Sequence, residues 1–307
     1  GQVNRIQKWV RITRAPFFTA VIIPALLGAL VARSEGTLHL GYLLLTLVGV
    51  VAINGGLNMS NDYFDHLSGN DAYNLTPTPF SGGSRAIQEG VLTPGGVLAG
   101  SLAFYVVGIA VGIYLTAVRG WGILAIGFVG VLIAVLHNAP RIGLYYLAPG
   151  VGELATGLAC GLLVVLGSYY VQTQRFASAP LFTSLPIAFL VSAILYANEF
   201  PDAEADRRVG KKTLPVVLGE RRAVQAFTLV IVAAYISLIV EVLLGAMPTL
   251  SLLGLLTAPL GYRAIQGVKR YHSDVPRLIP ALATTIQLHL AMGLLLCIGY
   301  LVAPLFS

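Results

Sequence analysis

Apolar residues fill this chain in long runs, with little of the two-residue or 3.6-residue alternation of a half-exposed element. Nine runs approach the ~20 residues that carry a helix across a bilayer. They fall at about 17–33, 40–58, 96–117, 121–138, 150–170, 181–200, 223–245, 247–267 and 278–304. A helix that is apolar on every side is buried in lipid or among other helices. The pattern predicts an all-α, polytopic membrane protein with nine transmembrane helices, in a single domain over residues 1–307. Polar positions collect between the runs. Residues 1–16 are basic and mildly amphipathic, with Trp9 at interfacial depth, and predict a short surface helix. Two connections, about 59–95 and 201–222, are longer than a turn requires and rich in acids, bases, Gly and Pro. Long loops in compact chains are commonly functional, so both are expected to cap a site.

Composition strengthens this reading. Of 307 residues, 56% are hydrophobic and 10% charged, against about 25% charged in soluble domains. The first apolar run starts inside the chain and lacks a small-residue cleavage site, so a membrane helix is expected there rather than a signal peptide. Cys160 and Cys297 lie in the middle of different runs and read as small packing residues. The net charge of +6 follows topology. With the N-terminus in the cytoplasm, sixteen of the 19 Lys and Arg fall inside, and only Arg33, Arg119 and Arg175 outside. That imbalance is the positive-inside signature. It faces the basic excess toward anionic headgroups or an anionic substrate; neither nucleic acid nor an obligate protein partner is expected.

The acids carry the chemistry. Eight of the 13 Asp and Glu gather at two inner places: Asp62, Asp65, Asp71 and Glu89 at the first long connection, and Glu199, Asp202, Glu204 and Asp206 at the second. A carboxylate near hydrocarbon costs ~3 kcal/mol or more without a partner, so a cation is expected. Asn58, Asp62 and Asp65 stand at i, i+4 and i+7; Asn198, Asp202 and Asp206 stand at i, i+4 and i+8, with Pro201 a point where the helix could unwind. Each set shares a helix face. Mg2+ prefers oxygen ligands and is held by one or two carboxylates plus substrate phosphates. Two half-sites, with Asp62, Asp65, Asp202 and Asp206 as ligands, are expected to face each other and hold two Mg2+ ions and a diphosphate. Asp71, beyond Gly69, is expected to have left the helix, and Glu204 to point off the Asp202/Asp206 face. Lys211 and Arg85 beside the motifs suit an anionic diphosphate. Arg14, before Pro16, is either a phosphate contact or an anchor. His66 and His137 read as ordinary loop or interface residues, and Glu153 as either a helix-dipole partner or an acceptor contact.

These features resemble the UbiA superfamily of intramembrane prenyltransferases. The resemblance rests on Asn58-Met-Ser-Asn-Asp62-Tyr-Phe-Asp65, on Asp202-x-x-x-Asp206 and on Gly210-Lys211-Lys212-Thr213-Leu214-Pro215. The menaquinone-type branch, 1,4-dihydroxy-2-naphthoate prenyltransferase-like, is similar in Asp71 six residues after Asp65, in Gly82-Gly83-Ser84-Arg85 with Glu89-Gly90, and in Gly152-Glu153. Gly69 stands where some branches carry an Asp. The similarity implies nine helices around a central cavity with a lipid-facing opening and a cytoplasmic cap. It implies transfer of an isoprenyl group from its diphosphate to an acceptor, with Asp62, Asp65, Asp202, Asp206 and Tyr145 catalytic and Asn58, Arg85, Asn198, Lys211 and Arg14 on the diphosphate. Mg2+ and bases would stabilise the departing diphosphate. The Tyr145 ring would face the allylic cation; its competing role is an interfacial anchor. The expected acceptor is an aromatic quinone precursor, and the alternative a glycerol-phosphate ether lipid intermediate. A secondary transporter is the rival from another class, but it would place acids at mid-span, whereas these sit at one face. A CDP-alcohol phosphotransferase would need an Asp/Gly/Arg motif absent from the chain.

Overall fold

The computed structural model describes residues 5–305, with side chains from Trp9 to Pro304. The side chains of Arg5 and Lys8, counted above as inner bases, and residues 1–4 of the expected surface helix lie outside the described residues. Helices follow one another as α1 (Arg5–Ile12), α2 (Thr19–Ser34), α3 (Leu40–Ser68), α4 (Asn70–Tyr73), α5 (Pro94–Arg119), α6 (Gly122–Leu136), α7 (Leu144–Leu147) and α8 (Val151–Thr156). The second half holds α9 (Val164–Thr173), α10 (Ser178–Val209), α11 (Leu214–Leu218), α12 (Glu220–Leu243), α13 (Ala258–Tyr271) and α14 (Val275–Val302). A π-helical piece, Gly157–Leu163, joins α8 to α9.

Among the described residues seven helical spans are long and apolar enough to cross a membrane. Helix α6 is shorter, at 15 residues. The run expected at 247–267 is divided between a 3-10 stretch, Thr249–Thr257, and α13. Proline at the start of α13 has no N–H for a carbonyl one turn back, so the α-helix begins there.

The long connections are shorter than expected. Helix α3 continues to Ser68 and α10 to Val209, so both Asp motifs lie on helix. The polar residues past each apolar run still extend the helical ladder until a glycine ends it. Gly69 (φ 79°) and Gly210 (φ 81°) are left-handed C-terminal caps. Helix α10 runs unbroken through Pro186 and Pro201, so Pro201 does not unwind it.

The main core lies between α2, α10, α12 and α14, around the fully buried Leu27, Tyr196, Phe227, Ile231, Leu238 and Leu282. Small residues let backbones approach closely: a Cβ on Gly161 would lie 2.5 Å from Ala188 Cα of α10. Between α3, α5, α6 and α9 the packing instead leaves a cavity, which leads to the site.

Candidate active site

One loop joins the ends of α3 and α10. Gly82 and Gly83 are left-handed (φ 75° and 70°). The Gly82 N–H donates to Asp202 Oδ2 at 3.1 Å, and the Ser84 N–H to Asp62 Oδ1 at 3.1 Å. The Ser84 hydroxyl also donates to Asp62, and Asn74 Nδ2 to Asp202 Oδ1 at 2.8 Å. The first Asp of each motif is therefore tied to one Gly-Gly-Ser turn. A Cβ on Gly83 would stand 3.0 Å from Asp62 Oδ1 and 3.2 Å from Asp71 Oδ1.

The second Asp of each motif meets a lysine. Lys211 Nζ lies 2.7 Å from Asp65 Oδ1 and 3.6 Å from Asp206 Oδ1, with its side chain 5% exposed. Burial favours the neutral amine, but Asp65 and Asp206 outweigh it and the lysine pKa is raised, so the ammonium persists. Its position follows from the Gly210 cap: the Lys211 N–H bonds Asp206 O at 3.0 Å and the Lys212 N–H bonds Tyr145 O at 2.7 Å. Asp206 also accepts from Asn70 Nδ2 at 2.8 Å.

Asp71 has left α3 but stays at the site. The left-handed turn at Gly69 reverses the chain and folds α4 back beside α10, where Asp71 is 1% exposed. Its Oδ2 accepts from Gln88 Nε2 at 2.9 Å, and its Oδ1 has no hydrogen-bond partner among the described residues. Burial, together with the charges of Asp65 and Asp62, raises its carboxyl pKa above the usual range.

A polar pocket of about 90 Å³ opens between these elements. Of the candidate residues, Arg14, Asp65, Tyr145, Asn198, Asp202, Asp206 and Lys211 line it. Asn58, Asp62 and Arg85 do not. Asn58 Nδ2 donates to Thr13 O at 2.9 Å, so it holds the strand of chain ahead of α2 rather than facing the pocket. Asp62 lies behind the Gly-Gly-Ser turn, and Arg85 Nη1 is bound to Asp71 O at 2.6 Å. Arg14, left-handed at φ 52°, reaches Phe80 O at 2.6 Å. Sequence reading missed Asn61, Asn138 and Glu199, which also line the pocket. Among the described residues Asn61 Oδ1 and Asn138 Oδ1 are buried without a hydrogen-bond partner, and the Glu199 carboxyl is buried against Tyr145 and Glu153. Asn61 lies inside the first motif and Glu199 directly follows Asn198, so only Asn138 carried no sequence signal.

The donor set suits a hard cation: its candidate ligands are oxygens, with acceptor atoms left open and the Asp71 carboxyl destabilised by burial and by its neighbours' charge. Among the described residues no three His, Cys, Asp or Glu side chains converge on one point. Lys211, Ser84, Asn70 and Asn74 engage the aspartates instead.

Next to the pocket is a nearly wholly apolar cavity of about 370 Å³ between α3, α5, α6 and α9, with His137 on its wall. Leu115, Ile123 and Val171 stand at its far end. Ile113, Leu124 and Phe128 on its wall are also exposed on the bundle surface, so it opens sideways between α5 and α6. Tyr145 stands at the junction. Its ring is 4.7 Å from that of His137, below Lys211 Nζ at 5.4 Å, and against Gly152. Only 7% of it is exposed, so it is not an interfacial anchor. Burial, then the nearby Glu199 and Glu153, raises its hydroxyl pKa well above the usual value. His137 is 4% exposed and belongs to this junction rather than to a loop surface. Glu153 Oε1 accepts the Leu214 N–H at 2.7 Å and so fastens α11 to α8.

An oxygen-lined, charged pocket at the head of an apolar cavity, within a bundle of membrane-length helices, is the arrangement of a membrane enzyme. The chain belongs to the UbiA prenyltransferase family, whose model matches residues 21–285, and it is a prenyltransferase. It is 30% identical over 294 residues to the 1,4-dihydroxy-2-naphthoate octaprenyltransferase of Bacillus subtilis, covering 95% of this chain and 92% of that one. It is 27% identical over 293 residues to the 2-carboxy-1,4-naphthoquinone phytyltransferase of Synechocystis, with the same shares covered. The fold matches a UbiA homolog from Aeropyrum pernix in its apo form, with a TM-score of 0.68 at 19% identity over 94% of this chain and 98% of that one. It also matches a UbiA homolog from Archaeoglobus fulgidus bound to GPP and Mg2+, with a TM-score of 0.59 at 16% identity over 94% and 99%.

Proposed function

We propose that the chain transfers a prenyl group from a prenyl diphosphate to a hydroxylated aromatic quinone precursor. The polar pocket receives the diphosphate with two Mg2+ ions, and the apolar cavity receives the tail. The observation that carries this reading is the meeting of pocket and cavity at His137 and Asn138, beside Tyr145. The names of the Bacillus and Synechocystis relatives support a naphthalene-type acceptor. We place nine crossings in one domain over 1–307, with the N-terminus, both Asp motifs and a capping loop on the cytoplasmic side, as the basic residues indicate.

Asp65, Asp202 and Asp206, with Asp62 and Asp71 behind the Gly-Gly-Ser turn, would hold the ions. Bound Mg2+ supplies charge that stabilises the departing diphosphate. Lys211 brings the buried ammonium and Arg14 a guanidinium to the same anion. The Tyr145 ring offers its face to the allylic carbon as positive charge develops. The apolar cavity keeps water from that carbon.

The test is incubation of the purified chain in detergent with Mg2+, a labelled prenyl diphosphate, and either 1,4-dihydroxy-2-naphthoate or a glycerol-phosphate ether lipid. Prenylated naphthoate and released diphosphate are expected by mass spectrometry. Product from the phosphate acceptor alone would reverse the acceptor class, and no turnover with either would overturn the reading.

Two variants probe the halves of the site. Gly83→Ala forces a left-handed non-glycine residue, at about 1–2 kcal/mol, and presses a methyl against Asp62 and Asp71. A lower melting midpoint together with reduced turnover is expected. Gly112, on the cavity wall, has open space where a Cβ would stand. Gly112→Phe is expected to cut kcat/KM about 10-fold or more for long prenyl diphosphates and less for short ones, read from a chain-length series.

A further inference from the structure

Glu199 has no part in the chemistry above, yet its position is singular. It is 4% exposed and lines the polar pocket. It precedes Asp202 by three residues on α10, on the same face and about 4.5 Å deeper along the helix. At that depth the pocket wall is Leu195, Tyr145 and Asn138, next to the apolar cavity. The pocket's other carboxylates are engaged: Asp65 by Lys211, Asp202 by Gly82 and Asn74, and Asp206 by Asn70 and Lys211. Among the described residues Asn138 Oδ1 and Asn61 Oδ1 meet no hydrogen-bond donor, and the Glu199 carboxyl meets none in good geometry, with the Tyr145 hydroxyl and the Glu153 carboxyl against it. Glu153 and Tyr145 are its nearest titratable neighbours, and the charge of Asp206, farther along α10, also reaches it. Open carboxylate and amide oxygens are satisfied by hydroxyl donors.

We propose that Glu199 is the general base of the acceptor half-reaction and binds a phenolic hydroxyl of the acceptor at the cavity junction. This rests on the reading that the acceptor is a hydroxylated aromatic. The hydroxyl O–H bond breaks, the proton passes to a Glu199 oxygen, and the electron pair left on the phenolic oxygen enriches the conjugated ring carbon. That carbon bonds to C1 of the prenyl group as the C1–O bond breaks, and its electron pair leaves with the diphosphate. The dienone regains aromaticity by losing the former substituent of the alkylated carbon as an electrophile, a proton taken up by water where that position carried hydrogen.

Glu199→Gln keeps the size and burial of the side chain and removes the base. In the full chain with Mg2+ and a naphthol acceptor, kcat is expected to fall about 10²- to 10⁴-fold. The KM for prenyl diphosphate and the Mg2+ requirement are expected to stay as in wild type. Across naphthols whose electron-withdrawing groups ionise the hydroxyl below the assay pH, the wild-type to variant ratio is expected to shrink toward one, because no base is then needed. An equal loss across that series, a changed Mg2+ requirement or wild-type activity in the variant would overturn the base assignment alone. Wild-type protein that prenylates no aromatic acceptor would overturn the acceptor reading and the base assignment with it.

Discussion

Asp202→Asn is expected to lower prenyl transfer by on the order of 10³-fold while the protein still folds in detergent. Asp202 accepts from the Gly82 N–H and from Asn74. An asparagine keeps one acceptor oxygen for that turn but loses the charge needed to hold a cation against a departing diphosphate. Asp62→Ala is expected to abolish turnover too, by a different route. Asp62 anchors the backbone and hydroxyl of Ser84, so its loss also frees the turn and lowers the melting midpoint. Diphosphate release at saturating Mg2+, read beside the melting curve, separates the two effects. Wild-type activity in either variant would sink the two-ion arrangement.

Lys211→Met should cost the most stability. The ammonium lies between Asp65 and Asp206, nearly out of water. Removing one partner of a buried ion pair costs about 3–5 kcal/mol, because the remaining charge is left uncompensated. The variant should melt lower and lose diphosphate turnover. Added Mg2+ should raise its midpoint more than that of wild type, since the ion replaces the missing cation. Lys211→Arg is expected to rescue poorly, because a planar fork does not substitute for a compact point charge there. Thermal shift with and without Mg2+ reads all three outcomes. An unchanged midpoint and activity in the methionine variant would show that the pair contributes nothing.

Particular residues show where sequence reading stops. Asp65, Asp202, Asp206 and Lys211 were legible because carboxylates one turn apart at the ends of apolar helices need a cation. Asn58 shares their register, but the chain around Thr13 covers it, and no periodicity reports such a contact. Asp71 was expected to leave the helix after Gly69, and it does; the direction of that turn, which keeps it beside the site, is not written in the spacing. His137 and Asn138 reach the junction only because α6 packs beside α3 and α9.

The sequence by itself determined the helices, their membrane length and the two acidic motifs, because hydropathy and one-turn spacing are local properties of the chain. Only the tertiary structure decided which acidic and amide oxygens face one pocket. It set Lys211 between Asp65 and Asp206, buried Tyr145 at the junction and brought Glu199 to the pocket wall beside it. Those are contacts between residues far apart in the chain. Left-handed turns at Gly69, Gly82, Gly83 and Gly210 and the packing of α10 against its neighbours create them, and no short stretch of sequence contains both sides of such a contact.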